Sequence, residues 1–223
     1  MSKEFKRIPQ HIGIIPDGNR RWALSNNYEK HEGYRFGVKA GYDLYELLLD
    51  LGVKEATFYG FTKDNTKRSK KQKDAFVESC IQAVNMLANR DANLLVLGNT
   101  ESTAFPKELL PYANKKVHFG KGLINLNFLV NYDWEWDLSH AFFKEDLALK
   151  NKKNYIKHIA SAAIPRIDMI IRWGGRSRLS GFLPVQSIYS DIYVLEENWP
   201  DFNEEQLYKA LEWYQTTDVT LGG

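Results

Sequence analysis

The chain has 223 residues, of which 43% are hydrophobic and 26% charged, and its formal net charge is +2 at pH 7. These values are typical of a soluble globular protein with one α/β domain, and they exclude a chain-wide attraction to nucleic acid or anionic surfaces. The single cysteine, Cys80, excludes an internal disulfide and a multi-cysteine metal site, and it predicts a reducing compartment. The sequence shows neither a secretory leader nor an apolar run of about 18 residues, so we expect a cytoplasmic protein.

Strand-like and helix-like segments alternate along the chain. A buried strand at residues 12–15 stops at Pro16-Asp17-Gly18, and a helix-compatible segment follows. Five more strands are predicted, at residues 53–61, 93–97, 123–130, 167–171 and 191–195. Helical spacing of apolar residues predicts helices at residues 34–51, 71–90, 106–116, 133–149, 154–163 and 203–215. The pattern predicts a single α/β domain, residues 1–223, with a mainly parallel sheet flanked by helices.

Polar side chains collect after the predicted strands. In open parallel sheets, ligands bind beyond the carboxyl ends of the strands. These ends are rich in cations, hydroxyls and glycines but poor in carboxylates, which indicates phosphate or diphosphate binding. The residues concerned are Asp17, Asn19, Arg20 and Arg21 after the first strand, Thr62, Asp64, Asn65 and Arg68 after the second, Asn131 after the fourth, and Arg172, Gly174, Gly175, Arg176, Arg178 and Ser180 after the fifth.

The turn after the first strand indicates a metal as well as an anion. A strand that ends at a glycine turn and leads into a helix presents backbone N–H groups to an anion. The Asp17 carboxylate beside such a turn predicts a magnesium ion that bridges protein and phosphate oxygens. On these residues alone, an ordinary turn with surface arginines remains the alternative.

Four sequence blocks carry a resemblance to a known family. HIGIIPDGNRRWA (11–23), FYGFTKDNTKRS (58–69), IRWGGRSRLSGF (171–182) and DIYVLEENWPDF (191–202) resemble the cis-prenyltransferases, and the resemblance extends from His11 to Gly223. It implies a parallel sheet with helices around a hydrophobic tunnel. It also implies a Mg²⁺-dependent prenyltransferase that condenses isopentenyl diphosphate with an allylic prenyl diphosphate to form a cis-prenyl diphosphate.

The resemblance implies roles for individual residues. Asp17 and Asn65 are expected to be catalytic, and Asp17 and Asp191 to hold the magnesium ion. The allylic diphosphate is expected to contact the loop after the first strand and the residues near it, namely Gly18, Asn19, Arg20, Arg21, Trp22, Lys30, Tyr34 and Arg68. The isopentenyl diphosphate is expected to bind Arg172, Arg178 and Ser180.

Several positions depart from the family pattern. Tyr34 stands where the family has histidine, Thr66 and Pro184 where it has tryptophan, and Gly181 where it has asparagine. Arg176 replaces the glutamate of the R-x-G-G-E block, and the R-x-G signature near the carboxyl end is missing. Three alternatives therefore stay open: a catalytic subunit whose partner supplies the R-x-G arginine, irregular head-to-middle coupling of the lavandulyl type, or another terpene synthase-like reaction that ionises an allylic diphosphate.

The remaining expectations concern partners. We expect a homodimer or a heterodimer with a related subunit, and membrane contact only at the periphery, through the lipid product. The basic run at residues 63–73 is typical of a solvated helix entry, so no nucleic-acid partner is predicted. Product length is not predicted, because the sequence does not show how deep the tunnel residues lie.

Overall fold

One seven-stranded sheet organises the molecule. A computed structural model describes residues 4–88, 90–142 and 155–218. The strands are β1 (His11–Ile15), β2 (Glu55–Tyr59), β3 (Ala92–Leu97), β4 (Val117–His118), β5 (Ile124–Leu129), β6 (Met169–Arg172) and β7 (Asp191–Val194). Their order is β4-β3-β5-β2-β1-β6-β7, and every neighbouring pair is parallel except β3 and β4. The prediction of a mainly parallel α/β fold is confirmed.

Helices cover the sheet. They are α1 (Asn19–Ser25), α2 (Gly33–Asp50), α3 (Lys70–Leu87), α4 (Trp134–Ser139) and α5 (Glu204–Tyr214), with shorter 3-10 turns at Lys63–Lys67, Lys107–Tyr112 and Trp199–Asp201. Capping explains where two of them begin. The side chain of Asp133 accepts from the Glu135 N–H, and that of Asn203 accepts from the Gln206 N–H. Within the described residues, no helix has the length and apolar character needed to cross a membrane.

Three predicted helices differ from the structure. The segment predicted at 106–116 is a 3-10 turn that contains Pro111, followed by the short edge strand β4, because proline has no N–H to continue a helix. The helix predicted at 133–149 ends at Ser139, and residues 143–154 lie outside the described part of the chain. Of the helix predicted at 154–163, residues 156–163 form successive turns and bends, and residue 154 lies outside the described part of the chain.

The two faces of the sheet bury separate apolar clusters, because successive side chains of a strand point to opposite faces. Ile12 and Ile14 of β1 lie in the larger cluster, to which α2, α3 and α5 contribute. Ile15 lies in the smaller cluster with Phe182 and Leu183. All five residues of β1 are buried, so the strand that leads to Asp17 is rigidly placed.

The strand order locates a crevice for a ligand. β1 pairs with β2 on one side and with β6 on the other, so the chain reverses its direction of winding at β1. At such a switch point, the loops after the strands diverge and leave room beyond their carboxyl ends. Three of the sequence-predicted polar segments follow β1, β2 and β6.

Candidate active site

A cavity of about 620 Å³ lies beyond the carboxyl ends of β1, β2 and β6. This volume is within the range of small-molecule sites. Among the described residues, seven basic side chains line it, against two carboxylates, Asp17 and Asp64. The basic residues are Arg20, Arg21, Lys30, Arg68, Arg172, Arg176 and Arg178. Such an excess of cations in one concave site favours a strongly anionic ligand.

Hydrogen bonds fix the Asp17 side chain in the wall of this cavity. Its Oδ1 accepts from the backbone N–H of Gly18 at 2.6 Å, and its Oδ2 accepts from Arg172 Nη2 at 2.8 Å. Arg21 Nη2 lies 3.5 Å from Oδ1. The turn needs Gly18 because its φ is 103° and an added Cβ would meet the side chain of Asn198 at 2.3 Å. The carboxylate is therefore oriented from both sides while 36% of its side chain remains exposed.

Arg172 joins the loop after β1 to the loop after β6. Only 3% of Arg172 is exposed, and its Nη1 donates to Ser180 Oγ at 3.1 Å and to the carbonyl of Arg178. Tyr59, at the end of β2, donates its hydroxyl to the carbonyl of Ser180 at 2.7 Å. Burial raises the pKa of the Tyr59 hydroxyl, so it stays a donor at neutral pH. One buried guanidinium thus connects Asp17 with the residues predicted to bind the second diphosphate.

The glycine pair after β6 allows these loops to approach each other. Arg21 Nη2 donates to the carbonyl of Gly174 at 2.8 Å. A Cβ added to Gly174 would lie 2.2 Å from Arg21 Nη2 and 3.2 Å from the Asp17 carbonyl carbon. Its φ of +85° also favours glycine. The pair therefore brings Arg172, Arg176 and Arg178 to the same cavity as Asp17.

Tyr34 and Arg68 form a second polar pair in the wall of the cavity. Arg68 Nη1 donates to the Tyr34 hydroxyl oxygen at 2.8 Å, and the Tyr34 ring stacks on Phe76 with centroids 4.6 Å apart. Burial raises the pKa of the Tyr34 hydroxyl, and the positive charge of Arg68 offsets only part of this rise. The phenol is therefore neutral, accepts from Arg68 and keeps its own proton as a donor. Tyr34 positions Arg68 at the cavity wall.

Replacing Tyr34 by phenylalanine removes the acceptor for Arg68 and leaves the stacked ring. We expect the KM for the anionic substrate to rise about tenfold with a smaller change in kcat, since a hydrogen bond to a charged group contributes roughly 1.5–3 kcal/mol. Steady-state kinetics measure this. The matched control is Tyr45→Phe, in the buried core of α2 and away from the cavity. An unchanged KM in Tyr34→Phe would show that the hydroxyl does not position Arg68.

Comparisons with known proteins agree with this geometry. The Prenyltransf family model, which describes undecaprenyl diphosphate synthases, matches residues 15–222. An isoprenyl transferase of Clostridium acetobutylicum is 31% identical, over 98% of this chain and 91% of the relative. An isoprenyl transferase of Leptospira interrogans is 30% identical, over 97% of this chain and 95% of the relative. The chain belongs to the cis-prenyltransferase family.

Other relatives of this cis-prenyltransferase point the same way. A ditrans,polycis-undecaprenyl-diphosphate synthase of Pasteurella multocida, named as (2E,6E)-farnesyl-diphosphate specific, is 29% identical over 97% of this chain and 95% of the relative. The fold is similar to that of lavandulyl diphosphate synthase from Lavandula x intermedia, solved in complex with dimethylallyl diphosphate. The TM-score is 0.82 at 24% identity, covering 96% of this chain and 98% of the other, and it shows the shared fold. The protein is a prenyltransferase.

Most of the sequence-predicted site residues line the cavity. Besides Asp17 and the basic residues, these are Gly18, Asn19, Tyr34, Asn65 and Ser180. Asn65 also has a structural role, because its Oδ1 accepts from the Thr62 N–H at 3.1 Å and caps the 3-10 turn at Lys63–Lys67. Tyr59 was missed by sequence reasoning. Its position could have indicated a role in the site, because Tyr59 places an aromatic hydroxyl at the carboxyl end of a strand.

Two predicted site residues lie elsewhere. Asp191 is the first residue of β7. It lies beside Met169 of β6, which lies beside Ile12 of β1, so Asp191 is at the amino ends of these parallel strands. At about 3.3 Å per residue, it is more than 10 Å from Asp17, and its carboxylate instead accepts from Thr217 Oγ1 at 2.9 Å. Within one protomer, Asp191 and Asp17 therefore do not meet at one metal site, and a metal role for Asp191 stays a prediction.

Trp22 is the other exception. It lies outside the residues that line the cavity, and its Nε1 donates to Asp201 Oδ1 at 2.5 Å. Its ring packs against Phe36, with centroids 4.5 Å apart, and stacks on Tyr28. Trp22 and Arg21 both belong to the seven-residue helix α1. Arg21 lines the cavity, whereas Trp22 lies on a different face of the helix. Trp22 packs beside the loop after β1, and its contact with substrate stays a prediction.

The donor set fits a magnesium ion held jointly by protein and substrate. Within the described residues, no group of three or more His, Cys, Asp or Glu side chains forms a complete metal site. Mg²⁺ is usually bound by one or two carboxylates together with substrate phosphates and water. Asp17 supplies such a carboxylate beside the cations that would hold the phosphates. A diphosphate would have to complete the coordination.

Proposed function

We propose that this cis-prenyltransferase uses Mg²⁺ to transfer the prenyl group of an allylic diphosphate to isopentenyl diphosphate. The observation that carries the proposal is a cavity whose described wall includes Asp17 and seven basic side chains and which adjoins an apolar chamber. Two diphosphates side by side repel each other, and a dense set of cations offsets that repulsion. The adjoining apolar walls suit the hydrocarbon part of the substrate.

In this proposal, the two halves of the cavity hold the two substrates. Asp17, Arg20, Arg21 and Arg68 hold the allylic diphosphate, while Arg178 and Ser180 hold the isopentenyl diphosphate. Arg172 contacts Asp17 and Ser180 and so fixes the distance between the halves. A bound magnesium ion would neutralise part of the charge that develops on the leaving diphosphate.

The chain's own residues assist each bond change. The allylic C–O bond breaks and its electron pair leaves with the diphosphate, where the arginines stabilise the added charge. The π electrons of isopentenyl diphosphate form the new C–C bond to the allylic C1, which leaves a cation on the former double bond. The carbon next to that cation then loses a proton to the released diphosphate, and the new double bond forms. The buried Arg172 keeps both reactants in place, which lowers the entropic part of the barrier.

Arg176 supports a second candidate function. It lines the cavity where the family pattern has a glutamate, so the site holds a cation in place of an anion near the second diphosphate. Pro184 also replaces a tryptophan of the pattern. These changes favour irregular coupling, in which a second allylic diphosphate takes the place of isopentenyl diphosphate as the acceptor.

The identity of the acceptor decides between the two functions. Purified protein is incubated with Mg²⁺ and dimethylallyl diphosphate, with and without isopentenyl diphosphate, and the products are analysed by mass spectrometry. We expect a product that requires isopentenyl diphosphate, because Arg172, Arg178 and Ser180 all line the cavity. A ten-carbon product from dimethylallyl diphosphate alone would establish irregular coupling instead.

A charge reversal at Arg176 sharpens this experiment. If Arg176 directs the acceptor choice, Arg176→Glu changes the ratio of the two products. The matched control is Arg35→Glu, the same change on α2 at a residue that pairs with Glu32 outside the cavity. Equal product ratios in wild type, Arg176→Glu and Arg35→Glu would remove the argument for the second candidate.

We also propose that a second subunit covers the edge of the sheet beside β7. Three large apolar side chains are exposed along this edge: Ile188 at 70%, Tyr189 at 50% and Ile192 at 39%. An exposed apolar strand edge is a frequent subunit interface. The partner would be a second copy of the chain or a related subunit.

A further inference from the structure

An apolar chamber opens directly from the cation-lined cavity. The two share the wall residues Pro16, Asn19, Tyr34, Gly60 and Phe76, so a ligand whose diphosphate lies among the arginines can extend into the chamber. α2 and α3 form two sides of the chamber, and one face of β2 and β5 forms the third. The chamber lies where the resemblance places a hydrophobic tunnel.

The chamber is short. Its volume is about 90 Å³. A protein cavity of about 150 Å³ binds benzene, which has six carbons. A space smaller than that accommodates one isoprene unit of five carbons, and it does not accommodate the three units of a farnesyl chain.

Two stacked rings close the sheet side of the chamber. Phe58 of β2 and Phe128 of β5 are direct partners in the parallel register, and their centroids lie 5.1 Å apart with ring planes inclined by 9°. Both are 6% exposed and belong to the larger apolar cluster. Rings held by adjacent sheet strands in a close-packed core do not move aside without cost. A longer chain could not pass between the helices and the sheet without displacing them.

We propose that Phe58 and Phe128 restrict the allylic substrate to a single isoprene unit. The inference rests on the proposed function and specifies its substrate: a five-carbon allylic diphosphate, with the hydrocarbon in the chamber and the diphosphate beside Asp17. Ten further carbons, as in farnesyl diphosphate, would remain outside the chamber or displace the two rings. They would therefore add no affinity.

Binding of unreactive analogues tests the inference without turnover. The probes are the thiolodiphosphate analogues of dimethylallyl and farnesyl diphosphate, titrated with Mg²⁺ in a calorimeter. In a deep tunnel, each added buried CH₂ group strengthens binding about fourfold. We expect the farnesyl analogue to bind no more tightly than the dimethylallyl analogue. Farnesyl binding more than tenfold tighter overturns the inference.

Enlarging the chamber should change the ratio of the two affinities, whereas filling it should weaken the binding of both analogues. Phe58→Leu combined with Phe128→Leu is expected to improve farnesyl binding relative to dimethylallyl by at least about tenfold, the gain from burying roughly two CH₂ groups. Ala83→Phe, on the α3 wall, is expected to weaken dimethylallyl binding by about tenfold, and it leaves the sheet core intact. Phe105→Leu, in the same cluster but outside the chamber walls, is the matched control.

The outcomes separate this inference from the proposed function. Tight farnesyl binding to wild type, an unchanged affinity ratio in the Phe58 and Phe128 double variant, or unchanged dimethylallyl binding in Ala83→Phe overturns the chain-length inference alone. Failure of both analogues to bind overturns the proposed function and the inference with it. Preference for the short analogue, reversed by the Phe58 and Phe128 substitutions and kept in Phe105→Leu, supports both.

Discussion

Asp17→Asn is expected to lower kcat/KM by about 10²–10³-fold, the size of effect seen when one group that stabilises a leaving anion is removed. The amide keeps the shape of the side chain and can still accept from Gly18 and Arg172. It loses the charge that would bind Mg²⁺ and balance Arg172. Steady-state kinetics at several Mg²⁺ concentrations measure the loss, and the concentration needed for half-maximal rate should rise.

The fold should survive this substitution. Asp17 is 36% exposed, so its ion pair with Arg172 contributes only about 1 kcal/mol, which corresponds to a fall of roughly 2–4 °C in Tm. Asp43→Asn, on the outer surface of α2 and paired with Lys39, makes the same change away from the cavity and should retain full activity. Activity within tenfold of wild type in Asp17→Asn would contradict the assignment of Asp17 to the metal and the leaving group.

Arg172→Lys is expected to reduce kcat/KM for isopentenyl diphosphate by about 10²-fold. The guanidinium reaches Asp17, Ser180 and the Arg178 carbonyl at once, because its two terminal nitrogens diverge in a plane. A lysine ammonium is a single point and cannot hold both loops. The positive charge is retained, so the loss reports on geometry. Kinetics at saturating allylic diphosphate measure it.

Stability is the second readout for this variant. Arg172 is 3% exposed, so a lysine there leaves part of its hydrogen-bonding environment unsatisfied and lowers Tm. Arg7→Lys provides the control, since Arg7 also makes several bonds through one guanidinium, to Tyr214 and Thr217, far from the cavity. It should lower Tm without changing the KM for isopentenyl diphosphate. Equal effects of both variants on that KM would show that Arg172 has no special part in binding.

The position of the site could be predicted from the sequence because it depends on strand order. The strands predicted at 12–15, 53–61 and 167–171 are expected to be parallel, and parallel strands bring their carboxyl ends to one edge. The structure places the residues that follow them around one cavity. The glycines of the W-G-G segment are explained by the close approach of Gly174 to Arg21.

Other features could not be predicted in this way. Asp191 matches a family position, but it is the first residue of β7, and only the register of the sheet shows that it lies at the far end. Pro111 and the edge strand β4 interrupt a segment whose apolar spacing is helical. The depth of the apolar chamber depends on how the rings of Phe58 and Phe128 pack, and no sequence pattern records that.

The stoichiometry of the reaction tests the central claim most directly. Purified protein is given Mg²⁺, dimethylallyl diphosphate and labelled isopentenyl diphosphate, and both inorganic diphosphate and labelled product are measured. The account predicts one inorganic diphosphate released for each isopentenyl diphosphate incorporated, and neither event after Mg²⁺ is chelated. Release of diphosphate without incorporation, or incorporation that continues without Mg²⁺, would contradict it.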